Sequence, residues 1–242
     1  MPEALYDCKT AVSNLDLFVL GGYLKKGVAN GCVRKFCTKT KTWSCKRLSD
    51  ASYKGCSVCC FKQNIYIMKC DFSCFMYNFE TNKLSQIAYM NKSRCYAACT
   101  VFEGKIVVTG GESNYFTLKS AEAYDYYENK WTYLPDMVKI RSRHNSVSMG
   151  NKLFIIGRWS TTICEVFDSF SRKFTLLEPK YDFNLRSANK VASVGTLIFI
   201  ISENNNNTML SLYDVKKSCW SKINCSVLEN LTGLLCVKYC IE

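Results

Sequence analysis

The chain is short of the residues on which hydrolytic and phosphoryl-transfer sites depend. Histidine occurs once, at His144. A Ser-His-Asp site would have to be built on that residue, and no G-x-S-x-G turn presents a nucleophile to it. The glycine pairs Gly21-Gly22 and Gly110-Gly111 are followed by neither Gly-Lys-Ser nor a helix, which excludes a phosphate-cradling loop of that type. Acidic residues are scarce as well: 20 Asp and Glu stand against 32 Lys and Arg, a formal charge of +12. That balance favours acidic partners, whether protein segments, nucleic acid or headgroups. The lysines are scattered over turns, as at Lys39, Lys41, Lys83, Lys130, Lys216 and Lys217, with no block of five or more. Solvated turn charges explain them better than a nucleic-acid surface does. No apolar run is long enough to span a bilayer, and Met-Pro-Glu-Ala lacks the basic start of a targeting segment. A cytoplasmic location and no membrane partner are therefore expected.

What the sequence does have is a column of aromatic residues, each paired with a second anchor seven residues on. The pairs are Phe36 with Trp43, Tyr77 with Leu84, Tyr124 with Trp131, Phe167 with Phe174, and Tyr213 with Trp220. They recur roughly every 45 residues, a period that belongs to repeat architectures. A polar turn separates the two anchors, clearest at Asp125-Tyr-Tyr-Glu-Asn-Lys130 and Asp168-Ser-Phe-Ser-Arg-Lys173. Upstream of each pair lies a short apolar run, such as Ile106-Val-Val-Thr-Gly-Gly111 or Leu197-Ile-Phe-Ile-Ile201. Runs of that length read as strands buried on both faces. Small-residue strands such as Asn145-Ser-Val-Ser-Met149 precede most of them. Each unit then holds four short strands, and a four-stranded sheet that cannot bury both faces alone stacks radially as a propeller blade.

The order of apolar strand, Gly-Gly, variable loop, Glu-x-Tyr-Asp, six residues and Trp resembles the kelch repeat. Ile106 to Trp131 carries nearly all of it, through Gly110, Gly111, Glu122, Tyr124, Asp125 and Trp131. Gly21 and Gly22 keep the double glycine in the first unit, whereas Met68-Lys69, Gly157-Arg158 and Ile201-Ser202 replace it in others. Where Lys69 or Arg158 stands, the turn must be rebuilt, and the second and fourth blades are expected to be less regular than the third. The resemblance covers residues 8–242 and is nearest to the propeller of BTB-BACK-kelch proteins. It implies an all-β propeller that usually closes with six blades, whereas counting the units gives five four-stranded blades plus an inner strand of an incomplete sixth at Thr232 to Glu242. A single domain over 1–242 is expected, with repeats at about 8–49, 50–91, 92–138, 139–182 and 183–225 and a partial one at 226–242. An open ring would leave strand edges unpaired, so the chain is read as a truncated six-blade sequence or an unusually closed five-blade one.

Function follows by elimination and resemblance. A copper-dependent oxidase propeller needs more than one histidine ligand, and the S-x-D-x-G-x-x-W turns of sialidase propellers are absent, so neither an enzyme nor a cofactor is expected. Arg94 and Arg141 each lie eleven residues before the lysine that opens the bulky strand, and Arg143, His144 and Arg186 sit close to the same place in their units. In a propeller those loops surround one mouth of the central channel. In related kelch adaptors, arginines near here contact acidic segments of a substrate, a task suited to guanidinium because it binds carboxylates in pairs of hydrogen bonds. The alternative is that these arginines are ion-paired to neighbouring blades. The resemblance implies a protein-binding propeller, either the substrate-recognition part of a cullin-RING ubiquitin ligase adaptor or an actin-binding scaffold. Cullin would be reached only through BTB and BACK segments, which this sequence does not contain.

Sixteen cysteines are unusual in such a chain. Cys56, Cys59, Cys60, Cys70 and Cys74 form the dense cluster. Strand alternation sends their side chains to opposite faces, so buried, reduced thiols are the expected state, with zinc and disulfides as the alternatives.

Overall fold

A computed structural model describes residues 5, 8–13, 16–24, 28–48, 53–157, 164–177, 188–204 and 207–223. They form five four-stranded antiparallel sheets and no helix. The first sheet comprises β1 (Lys9–Ser13), β2 (Asp16–Leu20), β3 (Cys32–Cys37) and β4 (Thr42–Arg47), and the second β5 (Ser57–Phe61), β6 (Asn64–Met68), β7 (Cys74–Asn78) and β8 (Lys83–Ile87). The third has β9 (Ala98–Phe102) and β10 (Lys105–Thr109), then the two-residue strands β11 (Glu112–Ser113) and β12 (Phe116–Thr117) as a separate hairpin, then β13 (Ala121–Asp125) and β14 (Lys130–Leu134). The fourth is β15 (Asn145–Met149), β16 (Lys152–Ile156), β17 (Cys164–Asp168) and β18 (Lys173–Leu177). The fifth is β19 (Ala188–Val194), β20 (Leu197–Asn204), β21 (Asn207–Asp214) and β22 (Cys219–Ile223). This is the all-β, five-blade construction of a β-propeller. Two compact units draw on these sheets, one on Met1–Tyr96 and Tyr124–Thr132, the other on Ala97–Ala123 and Tyr133–Cys236.

The seven-residue spacing of the aromatic column has a simple cause. Phe36 lies opposite Trp43, Tyr77 opposite Leu84, Phe167 opposite Phe174 and Tyr213 opposite Trp220 across the hairpin that ends each sheet. Their rings stack at a tilt, with centroids 5.1 Å apart for Phe36 and Trp43, 5.2 Å for Tyr124 and Trp131, 4.8 Å for Phe167 and Phe174, and 4.7 Å for Tyr213 and Trp220. The polar turn between them is closed by a residue in the left-handed region, always five positions after the column aromatic: Lys41, Asn82, Asn129, Arg172 and Ser218. In the third, fourth and fifth sheets an aspartate opens the turn and accepts two backbone amides, as Asp168 does from Phe170 and Ser171 at 2.9 and 3.0 Å. Where the closing residue is asparagine, the column tyrosine reaches it. The Tyr77 hydroxyl donates to Asn82 at 2.7 Å and that of Tyr124 to Asn129 at 2.8 Å. Packing and turn chemistry thus agree on one hairpin, which is what makes the repeat robust to sequence drift.

Facing sheets bury the apolar strands. Phe18, Leu20 and Val33 pack with Ile65, Ile67 and Tyr77; Val107 and Ala123 with Leu153, Ile155 and Phe167; and Phe154 and Ile156 with Ile198, Ile200 and Tyr213. The second sheet is more regular than the sequence suggests, with four five-residue strands in unbroken register. Lys69 replaces a glycine there, and the turn is rebuilt by Asp71, which accepts the Ser73 amide and hydroxyl at 3.2 and 2.6 Å, and by Phe72 in the left-handed region. Arg158, Arg186 and the expected terminal strand at 232–242 lie outside the described residues.

One cysteine expectation is corrected. Cys70 and Cys95, with Cα atoms 4.4 Å apart, form a disulfide between the turn after β6 and the segment leading into β9. The backbone brings them together there: Met90 donates to the Phe72 carbonyl and Tyr96 to that of Gly55, laying 90–96 across the turns of the second sheet. Cys56, Cys59, Cys74 and Cys164 are buried thiols, and burial pushes Cys164 up to about 12. Among the described residues no three His, Cys, Asp or Glu side chains converge as metal ligands.

Candidate functional site

The third sheet shows why its glycine pair is needed. Gly110 and Gly111 both have positive φ, and a Cβ on Gly110 would lie 2.3 Å from the carbonyl oxygen of Arg141 and 2.8 Å from the His144 ring. Only glycine permits that approach. The Gly111 amide donates to the same Arg141 carbonyl at 2.8 Å, and the Arg141 amide to Leu118 at 2.9 Å. Met137 donates to Lys119 at 2.8 Å. The β11–β12 loop and the stretch 137–143 are therefore stapled along their backbones.

Buried charge holds the same stretch from its other side. Arg141 and Glu165 are both 0% exposed, joined Nε to Oε1 at 2.9 Å. The Glu165 carboxylate also accepts the Val138 amide at 2.7 Å and the Lys139 amide at 3.0 Å, while Arg141 Nη1 donates to the Gly157 carbonyl at 3.0 Å. Every charge here is met by hydrogen bonds, the condition for a buried ion pair to persist. Arg141 therefore has the ion-paired placement of the two weighed above. Arg94 is buried as well, and so is Glu122, which stands in β13 where Glu165 stands in β17.

His144 is buried against Thr109, with Nε2 and the hydroxyl 2.9 Å apart. Its Nδ1 has no hydrogen-bond partner among the described residues. Burial first, and the Arg141 charge second, push its pKa down to about 3. The imidazole is thus neutral in the fold, and its placement is that of a packed core residue. A proton is taken up near pH 6.5 by the unfolded chain and refused by the folded one, so stability should fall as pH drops below 6.5 and hold above it. At pH 5 this one group should cost about 2 kcal/mol. Thermal melts at pH 7 and pH 5 check this: His144→Gln should narrow the difference between them, and an unchanged difference would remove His144 as the cause.

Of the sequence-predicted group, Arg143 alone is seen to be exposed, and it lies 3.6 Å from Glu112 at the base of the β11–β12 hairpin. Arg94, Arg141 and His144 are buried, and Arg186 is outside the described residues. The exposed surface here is instead apolar. Tyr115, fully exposed at a left-handed turn position, and Phe116, 75% exposed, form the hairpin tip. Val138 and Ile140 are exposed on the stapled stretch, flanked by Lys139 and Arg143. Sequence reasoning passed over these four, although two aromatics inside an otherwise polar variable loop were a signal. A hairpin tip with an apolar centre and a basic flank can bind another polypeptide.

Residues 93–138 match the family model for the kelch motif. Kelch-like protein 41b of Danio rerio is 29% identical over 163 residues, covering 64% of this chain and 27% of that protein. Kelch-like protein 25 of Rattus norvegicus is 34% identical over 76 residues, 31% of this chain and 13% of that one. An F-box/kelch-repeat protein of Arabidopsis thaliana is 26% identical over 167 residues, 62% and 40% of the two chains. The chain thus spans less than half the length of these relatives. Five four-stranded sheets ending in hairpins of one pattern, with a kelch-motif match over the unit that keeps the whole of it, make this chain an all-β propeller similar to the kelch-repeat proteins.

Proposed function

We propose that the chain is the target-binding part of a cytoplasmic adaptor for cullin-RING ubiquitin ligation, and that it grips an acidic, partly apolar segment of its target. The carrying observation is the pair Tyr115 and Phe116, exposed on a hairpin whose neighbours are fixed by hydrogen bonds and a buried ion pair. Exposed aromatics on a rigid support lose little entropy on binding and are common interface anchors. Arg143 and Lys139 beside them suit a carboxylate, in keeping with the net charge of +12. The ubiquitin role is supported by the resemblance to BTB-BACK-kelch propellers, and a binding role by the exposed apolar tip with its basic flank.

The isolated chain should capture a synthetic peptide of alternating Glu and Leu, with affinity that falls as salt rises. Replacing Tyr115 and Phe116 together with serine should weaken capture about tenfold or more, and Arg143→Ala by a smaller factor, with melting temperature unchanged. Wild-type binding by the serine pair would move the interface elsewhere. Co-sedimentation with actin filaments that survives both changes would favour the scaffolding reading.

A further inference from the structure

Three of the junctions between successive sheets are filled near the turn by an extra aromatic ring. Phe79, two residues after Tyr77, packs on Phe18 with centroids 5.6 Å apart, and the ammonium groups of Lys35 and Lys46 lie 5.5 and 4.7 Å from its ring. Tyr126, two residues after Tyr124, meets Phe61 at 6.5 Å; at the next junction Ser169 holds that position and the ring comes from the preceding sheet, where Phe102 at the end of β9 meets Phe167 at 6.0 Å. Register fixes the corresponding positions where the fourth sheet faces the fifth. Phe154 takes the place of Phe18, Val166 of Lys35, Leu177 of Lys46, Tyr213 of Tyr77 and Val215 of Phe79. The ring and both lysine stems are thus replaced by two valines and a leucine.

The space left is a cavity of about 560 Å³ lined by those five residues and Trp220. It is of the size that holds a small ligand or an inserted side chain. Its lining includes Lys152 and Asp168, and Lys216 and Lys217 follow directly on Val215, with Lys217 4.0 Å from Asp214. The nearby carboxylates of Asp168 and Asp214 are turned to amides of their own hairpins. This cavity has Val215 where Phe79 and Tyr126 stand and Met149 where Phe102 stands, and its edge sets three lysines against two carboxylates already engaged by amides, so it has a definite complement. We propose that it is a docking socket for an aromatic side chain of a partner protein flanked by acidic residues. This site is independent of the surface at Tyr115 and Phe116.

The test is calorimetric titration of the whole chain with acetyl-Asp-Phe-Asp-amide, acetyl-Asp-Ala-Asp-amide and acetyl-Lys-Phe-Lys-amide. The first should bind and the other two should bind about tenfold more weakly or worse. Val215→Phe, which restores the ring of the Phe79 position, should abolish binding while keeping or raising the melting temperature. Should that variant fold poorly, Thr175→Trp shields the mouth from an exposed position and should also block binding. Replacing Tyr115 and Phe116 with serine should leave this binding as it is. No binding of the phenylalanine peptide at millimolar concentration, equal binding of the alanine or lysine peptide, or full binding by either folded variant would overturn the proposal.

Discussion

Arg141→Ala is expected to destabilise the protein by about 3 to 5 kcal/mol, because it leaves the Glu165 carboxylate buried with its charge uncompensated. The loss should not be recovered by Arg141→Lys, since a single ammonium cannot reach both Glu165 and the Gly157 carbonyl in the fork geometry of guanidinium. The double change Arg141→Met with Glu165→Gln should regain part of the loss, as the desolvation of both charges disappears together while the amide oxygen still accepts from the 138–139 backbone. Urea titrations of the four proteins would decide it. A cost under about 1 kcal/mol for Arg141→Ala would mean that the pair is wetter than its burial implies. The same substitution should also loosen the Val138 and Lys139 amides held by Glu165, so hydrogen exchange at those two positions is a direct readout.

The aromatic column and the glycine pair were legible in the sequence because each reflects a fixed local spacing. Seven residues bring two anchors opposite each other across a four-residue turn, and Gly110 admits a carbonyl that no side chain could tolerate. The arginines were legible only in position. Whether Arg141 faces solvent depends on Glu165, twenty-four residues away, and its amide partners depend on how the intervening stretch doubles back. Aligning the units at the place two residues before the column aromatic would have helped: it reads Arg34, Phe75, Glu122, Glu165 and Ser211, so a carboxylate stands there in the third and fourth units. The Cys70–Cys95 pairing could not be read, because it arises from a long segment crossing the turns of the second sheet. The cavity between the fourth and fifth sheets was hidden for a related reason. No one residue marks it; it results from size changes at several positions spread over two sheets.

Truncating the aromatic column should expose how unevenly it supports the fold. Trp131 is buried, stacks on Tyr124, and donates its indole N–H to the Ala88 carbonyl at 2.9 Å. Asn129 accepts the Ala88 amide at 2.9 Å, so the N–H and C=O of one residue beyond β8 are both held by the turn and anchor of the next sheet. Trp131→Ala removes the ring, opens a cavity and leaves that carbonyl without its donor, for an expected loss of about 3 to 5 kcal/mol. Trp131→Phe keeps most of the ring volume and drops the hydrogen bond, and should cost about 1 to 2 kcal/mol. Trp43 occupies the matching place in the first sheet but is only half-buried, so Trp43→Ala should cost about 1 to 2 kcal/mol, in proportion to the area it removes from water. Denaturant melts of the three variants give the order directly. Equal losses at Trp43 and Trp131 would show that the hairpin pair itself carries the stability, whereas the expected gap would assign the larger share to the contact with the preceding sheet.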